Sequence, residues 1–561
     1  MKKNNIRIAC LQIEAKSYAR HSENREKIFQ LIEKAAKSKP DLIVLPECTY
    51  PCYFLSPQII DNYKTLSDIT VQFLSEIKNY ARKYQIFITV GLPEYVKEKN
   101  ILYNSAFLID DKGEEIGRTR KAFLWHFDNI WFQSGNQYPV FNTKIGKIGI
   151  FICADGRLPE IARCLALQGA ELLLDLTNLV TNGLEKKLWS NPQVDYMLPT
   201  RAMENKVWIV AANKVGIEEK SIQYCGKSSF FSPEGKTVAM ASSNLEEILI
   251  KDIDLSKSHD KKLANTIDVF EHRRPKNYKI LTLPSSNLTF QKDETNKAEN
   301  IEKYPFATVI QTVDTMNSYD YLQKIECFFQ TLNTQQVNLF SFSQNNNITE
   351  QKSHSILNLL TKLTKDKTAI CSIVLSEQED SKRYKTIFLI ESGKIIGKYR
   401  KTYLEFNEIS KINTGEDDFT VYETKLGRIG LMMDYEGYLP EIARILTLKG
   451  AQIIIWSCQF SGDEHLKICR ARSAENKIFI LCVNSIGKNY NGHSIITEPS
   501  GKIIAGCLEN SEMASMSKLS INLANDKIIV PYTDAILGRQ PESYHLLAFD
   551  KIISPARRYY S

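Results

Sequence analysis

Residues 148–174 read IGIFICADGRLPEIARCLALQGAELLL. The apolar run 148–152 fits a buried strand, and Ala154-Asp155-Gly156 then demands a sharp turn. Pro159 and Glu160 suit the first turn of a helix that carries Ile161, Cys164 and Leu165 on one face and stops at Gly169. Cys153 therefore sits at a strand-to-helix elbow, at the carboxyl edge of a parallel strand. There the positive end of a helix dipole is expected to favour a thiolate. A nucleophile suits that position, although burial as a small apolar residue is the commoner fate of a free cysteine.

The frame around this stretch is that of a globular α/β protein. At 561 residues the chain exceeds one hydrophobic core and calls for two domains. Hydrophobic residues make up 43% and charged residues 24%, ordinary values for a water-soluble fold. No stretch approaches the roughly 18 uninterrupted apolar residues of a spanning helix, and the N-terminus enters a strand-like segment without a signal-peptide core. A cytoplasmic protein without membrane association is the expectation. The net charge of +7 arises from 72 basic and 65 acidic residues that are interspersed, so no nucleic-acid partner is expected. The twelve cysteines form no CxxC pair, and Cys48 and Cys52 lack a matching cluster. They read as free thiols, neither zinc ligands nor disulfides.

Upstream of the elbow, residues 7–13 alternate as a strand and 24–36 form an amphipathic helix. Residues 41–46 (DLIVLP) are a buried strand that delivers Glu47 at its end. A helix over 68–85, a strand over 86–90 and a strand pair over 103–110 and 115–120 follow. Lys121 comes directly after that pair, among Trp125, Phe127, Trp131 and Phe132. Each of Glu47, Lys121 and Cys153 has a bland reading, as a solvated loop residue, a snorkelling lysine or a core thiol. Together they end or flank strands of one α/β layer arrangement, where strand ends gather on one side of a sheet.

LPE at Glu47, RK at Lys121 and C-x-D-x-R-x-P-E from Cys153 to Glu160 resemble the nitrilase superfamily of carbon-nitrogen hydrolases. RAMEN at Arg201, GKSSFFSPEG from Gly226 and RRPKNY from Arg273 follow in the family's order. The resemblance implies an α-β-β-α sandwich, a catalytic Glu47, Lys121 and Cys153, acyl transfer from an amide or nitrile, and no metal or organic cofactor.

The chain then repeats itself. IGLMMDYEGYLPEIARILTLKGAQIII at 429–455 mirrors 148–174, RSAEN at Arg472 mirrors RAMEN, and RQPESY at Arg539 mirrors RRPKNY. Two tandem α-β-β-α sandwich domains are expected, over 1–284 and 304–561. The polar stretch 285–303, without periodicity, joins them as a linker. A linker of this length favours pairing of the two domains within the chain, and larger homo-oligomers are compatible with it.

The copies differ in chemistry. Cys153 is matched by Asp434, Arg157 by Tyr438 and Glu47 by Gln344, and only Lys401 keeps the type of its counterpart, so the second copy reads as degenerate. In the first copy, Glu47 would take the thiol proton, and Lys121 with the backbone N–H of Ala154 would stabilise the oxyanion. Where many relatives carry a further Glu, this chain has Asp128, with Glu408 at the same offset in the second copy. Asp155 two residues after the cysteine resembles the amidase and carbamoylase branches, so a small amide or carbamoyl substrate is favoured over a nitrile. Arg157 either grips a substrate carboxylate or fixes the elbow. Asn178 and Trp189 are candidate pocket residues. A nitrilase, a glutaminase feeding a partner and a non-catalytic scaffold are the alternatives.

Overall fold

Apolar alternation builds the first repeat as two sheets. The computed structural model describes residues 4–56, 63–181, 183–263, 267–288, 304–365, 367–406, 408–416 and 418–549. Most of the expected linker, 289–303, therefore lies outside the described residues.

In chain order the strands are β1 (Asn5–Glu14), β2 (Leu42–Val44), β3 (Phe87–Val96), β4 (Ile101–Ile109), β5 (Glu115–Arg120), β6 (Val140–Thr143), β7 (Gly146–Ile152), β8 (Leu172–Leu176) and β9 (Trp208–Ala212). β1, β2 and β3 run parallel, and β4 and β5 continue antiparallel to complete one sheet edge. β7, β8 and β9 are the parallel centre of the second sheet. Helices α1 (His21–Ala36) and α2 (Tyr63–Tyr84) cover the first sheet; α3 (Pro159–Leu167) and α4 (Leu198–Asn205) cover the second. The sheets face each other through β1 and β9 and through β4, β5 and β7, giving four layers, α-β-β-α.

The spacing of apolar residues explains which faces are covered. In α2, Leu66, Phe73, Ile77 and Ala81 recur at helical intervals and are buried, while Gln72, Glu76 and Arg82 lie on the polar side. Phe73 and Ile77 join Ile28, Phe29 and Ile32 of α1 over Ile88 and Val90 of β3. Each such side chain contributes roughly 1.5–3 kcal/mol by leaving water. Between the sheets the strands are apolar on both faces, so 148–152 and 172–174 read as unbroken runs.

The second repeat builds the same layers. Phe306–Gln311, Val337–Phe342, Ile370–Glu379, Lys382–Glu391 and Lys394–Arg400 form one sheet with Met513–Lys518; Gly427–Met433, Ile453–Cys458 and Phe479–Asn484 are the parallel centre of the other. Helices Ser318–Asn333 and Glu350–Thr364 belong to the first of these, and Pro440–Leu448 and Glu464–Asn476 to the second.

The chain divides into two compact units. Unit 1 comprises Met1–Lys261 with Val530–Asp534 and Gly538–Ser561, and unit 2 comprises Lys262–Ile529 with Ala535–Leu537. The RRPKNY segment thus belongs to unit 2 and the RQPESY segment to unit 1. In unit 2 Arg273 meets Glu441 at 3.0 Å, and in unit 1 Arg539 meets Glu160 at 3.4 Å, every partner buried. Among the described residues no helix is long and apolar enough to cross a membrane.

Candidate active site in the first repeat

Glu47 is delivered by the turn that ends β2. That turn lies against β3 so closely that a Cβ on Gly91 would stand 2.6 Å from the Pro46 carbonyl oxygen and 2.7 Å from the Glu47 Cα, which is why only glycine fits there. Lys121 follows β5 directly, its N–H donating to the Asn104 carbonyl on β4. Asp128 begins a single helical turn seven residues on. The three side chains form one buried chain of charge. Lys121 Nζ lies 2.7 Å from Glu47 Oε1 and 2.6 Å from Asp128 Oδ2, and none of the three exceeds 1% exposure. Asn104 Nδ2 also donates to Glu47 Oε1, whereas Glu47 Oε2 has no hydrogen-bond partner among the described residues. Asp128, expected among the substrate contacts, is spent on protein groups: it accepts from Trp125 N–H and from the Tyr53 hydroxyl besides holding Lys121.

Cys153 stands at the end of β7 with φ of +49°, a left-handed conformation uncommon for a side-chain-bearing residue. Polar groups over-determine that strain. Asp155 Oδ2 accepts from Ile152 N–H at 3.0 Å, Asp175 Oδ1 accepts from Cys153 N–H at 2.9 Å, and Gln193 Nε2 donates to the Cys153 carbonyl at 2.8 Å. Asp155 Oδ1 also accepts from Ala122 and Phe123 N–H, which ties the elbow to the lysine's own segment.

The electrostatics follow from burial. It pushes the Glu47 carboxyl above its ordinary value, with Lys121 pulling in the opposite direction. Burial works against the Lys121 ammonium, but Asp128 and Glu47 outweigh it and hold Lys121 well above the usual lysine value. Asp155 is pushed up to about 6 by burial, despite its three backbone donors. The expected thiolate at Cys153 is not favoured. Burial raises that thiol well above its ordinary value, Glu47 adds to the rise, and Lys121 only partly offsets them. A five-residue 3₁₀ turn, Cys153–Arg157, separates the sulfur from α3, so the dipole of that helix does not act at close range.

The other expected contacts are also located. Ala154 is buried in the elbow turn. Arg157 is almost wholly buried, its guanidinium 5.0 Å from the Trp125 ring centre. Asn178, past the end of β8, is buried, and neither amide atom is paired among the described residues. Trp189 donates to the Gly183 carbonyl. Asp175, Gln193 and Asn104 belong to this site without having stood out in the sequence.

The equivalent place in the second repeat keeps the geometry and changes the charges. Asp434 has φ of +44°, matching Cys153. Lys401 Nζ lies 2.5 Å from Asp434 Oδ2 and 2.7 Å from Glu408 Oε2, and Gln344 Nε2 donates to Asp434 Oδ1 at 3.0 Å. Lys385, which replaces Asn104, lies 3.4 Å from Asp434. Burial alone would raise the Asp434 carboxyl, but Lys385 and Lys401 hold it at about 2. Trp456 stands where the first repeat has Asp175 and donates to the Asp434 carbonyl.

The sequence model of the carbon-nitrogen hydrolase family matches residues 7–262 and again 330–525. The chain belongs to the carbon-nitrogen hydrolase family. It carries that family's domain twice. A nitrilase from Pyrococcus abyssi is 33% identical over 268 residues, spanning 46% of this chain and 93% of its own length. An N-carbamoylputrescine amidase from Oryza sativa is 28% identical over 289 residues, 49% of this chain and 92% of its own. Among solved structures, a carbon-nitrogen hydrolase from Helicobacter pylori is 26% identical, covers 46% of this chain and 91% of its own, and has a TM-score of 0.42.

Proposed function

We propose that the first repeat hydrolyses the C–N bond of a small amide or carbamoyl compound through a Cys153 thioester, with Glu47 as acid and base and Lys121 as oxyanion partner. The observation that carries this reading is the buried Glu47–Lys121–Asp128 chain beside a strained, buried cysteine. Glu47 Oε2, without a hydrogen-bond partner among the described residues, accepts the thiol proton as the sulfur bonds to the carbonyl carbon. Lys121 and the Ala154 N–H stabilise the oxygen anion among buried groups, where such contacts are stronger than in water. Collapse of the tetrahedral adduct breaks the C–N bond, and Glu47 returns its proton to the leaving ammonia or amine. The same carboxylate then takes a proton from water, whose oxygen attacks the thioester and releases the acid and the thiol. A thiol that rests protonated needs such a base, so the raised Cys153 and the raised Glu47 belong together. Asp128 acts as a positioning group that holds the ammonium between two carboxylates.

A relative named for N-carbamoylputrescine and another named a nitrilase bracket the substrate classes. An ammonia-release screen over amides, carbamoyl compounds and nitriles, with Cys153→Ala as blank, tests the assignment. Turnover confined to nitriles would overturn the amide reading.

Two further outcomes are expected. Arg157→Lys should raise KM for acidic substrates several-fold and leave neutral amides near parental values, because lysine keeps the charge and loses the planar fork. Equal losses on both would assign Arg157 to the elbow alone. Asp434→Ala should leave turnover within a few-fold of the parent, since a carboxylate held ionised by Lys385 and Lys401 is no thiol and Gln344 is no base. A loss as deep as that of Cys153→Ala would show chemistry in the second repeat.

A further inference from the structure

The segment that carries Lys121 and Asp128 is closed at its base, Gly135 N–H donating to the Lys121 carbonyl at 2.8 Å. Its outer side is held by a stretch that lies some four hundred residues further along the chain. Thr533 Oγ1 accepts from His126 N–H at 2.8 Å and donates to the Leu124 carbonyl at 3.3 Å. Gln540 Nε2 donates to the Ala122 carbonyl at 3.3 Å and to the Ser134 hydroxyl. Ser543 donates to the Asn136 carbonyl at 2.8 Å. Between these anchors, a Cβ on Gly538 would come within 2.4 Å of the Phe123 ring, so the strap's backbone lies directly against that side chain.

These partners are spaced along the segment from end to end. Ala122 adjoins Lys121, Leu124 and His126 lie between Lys121 and Asp128, and Ser134 and Asn136 close the far side. His126 has φ of +47°, and the Thr533 hydroxyl satisfies its N–H in that strained conformation. Trp125, whose N–H holds Asp128, is bracketed by the two residues that Thr533 binds.

We infer that residues 533–543, contributed by the second repeat, are a positioning strap that fixes the Lys121–Asp128 segment for the chemistry of the first repeat. Within unit 2, the corresponding strap of the first repeat makes the same kind of contact: Arg274 donates to the carbonyls of Gly415 and Thr402 beside Lys401. The two repeats therefore complete each other, and the repeat without a cysteine at its elbow is retained because it supplies the strap of the one that has it.

This inference rests on the role proposed for Lys121, and its test separates the two. In the full chain, Thr533→Val with Gln540→Leu removes the side-chain anchors of Thr533 and Gln540, leaves that of Ser543, and keeps the volume. The kcat on the best substrate should fall about ten- to a hundredfold with KM little changed, the cost of a catalytic group displaced by a fraction of an ångström to an ångström. Thr533→Ser, which keeps the hydroxyl, should retain parental kcat, whereas Thr533→Val alone should lose several-fold; these single variants read the same contact if the double variant fails to fold. Backbone amide exchange over 121–136 should accelerate in the double variant, and alkylation of Cys153 by iodoacetamide should change in rate, both measurable without any substrate. Parental kcat, exchange and alkylation in Thr533→Val and in the double variant would overturn the strap. Absence of turnover in the parent, with exchange and alkylation altered as stated, would overturn the hydrolase reading and leave the strap standing.

Discussion

Cys153→Ala should abolish ammonia release while the variant unfolds close to the parent. The side chain is small and lies at the end of β7, so deleting one sulfur leaves a minor cavity worth on the order of 1–2 kcal/mol. Neither the backbone strain nor its supports depend on the sulfur. Alanine at φ of +49° carries the same steric cost as cysteine, and the contacts from Asp175 and Gln193 go to backbone atoms that the substitution keeps. Activity should fall to background because the sulfur that forms the thioester is gone. Cys48 is the next cysteine in this region, but its thiol donates to the Asn104 side-chain oxygen Oδ1 and burial raises its pKa well above the ordinary value. Thermal unfolding and ammonia assays on the same preparation check both halves of the expectation. Full turnover by the alanine variant on any substrate would end the thioester mechanism; collapse of the fold would mean that the sulfur itself packs the elbow.

Much of the fold was legible because its signals are local. An apolar run, a three-residue turn and a proline-initiated helix are contiguous, so 148–174 announces its elbow, and the second occurrence at 429–455 announces the duplication. Glu47 and Lys121 were legible as strand-end residues. Asp175 was not: in LLLDL it looks like a polar interruption of a strand, and its role appears only when β7 and β8 pair in parallel and bring Phe151 opposite it, next to the strained Cys153 N–H. Asn104 and its replacement Lys385 lie mid-strand for the same reason. The state of the Cys153 thiol was misread because the dipole argument counts one charge term, whereas burial, which no linear pattern measures, dominates. The exchange of C-terminal segments was hidden too. Arg273 and Arg539 were visible as a repeated motif, but the carboxylates they meet, Glu441 and Glu160, are separated from them by 168 and 379 positions.

Lys121→Met should be the most destabilising of the single substitutions at the site as well as an inactive one. Methionine keeps most of the aliphatic stem and removes the ammonium, leaving Glu47 and Asp128 buried without the cation that sits 2.7 Å and 2.6 Å from them. Breaking a buried ion pair from one side costs roughly 3–5 kcal/mol, a large part of the 5–15 kcal/mol by which a typical domain is stable. The loss should depend on pH with a definite sign. Glu47 is already raised by burial, and without Lys121 it rises further, so the folded variant binds a proton at pH values where the unfolded chain, with its ordinary glutamate near 4.3, does not. Stability of the variant should therefore increase as pH falls from neutrality toward that value, with a steeper slope than in the parent. Adding Glu47→Gln should recover part of the lost stability without recovering activity, because it removes one of the two stranded charges. The second repeat supplies the precedent for that glutamine, holding Gln344 where the first has Glu47. Denaturant unfolding of the parent, both single variants and the double variant at two pH values measures the coupling directly. If Lys121→Met matches the parent in stability and in pH slope, the carboxylates are not held by the lysine, and the charge chain on which the mechanism rests is not the organising feature of the site.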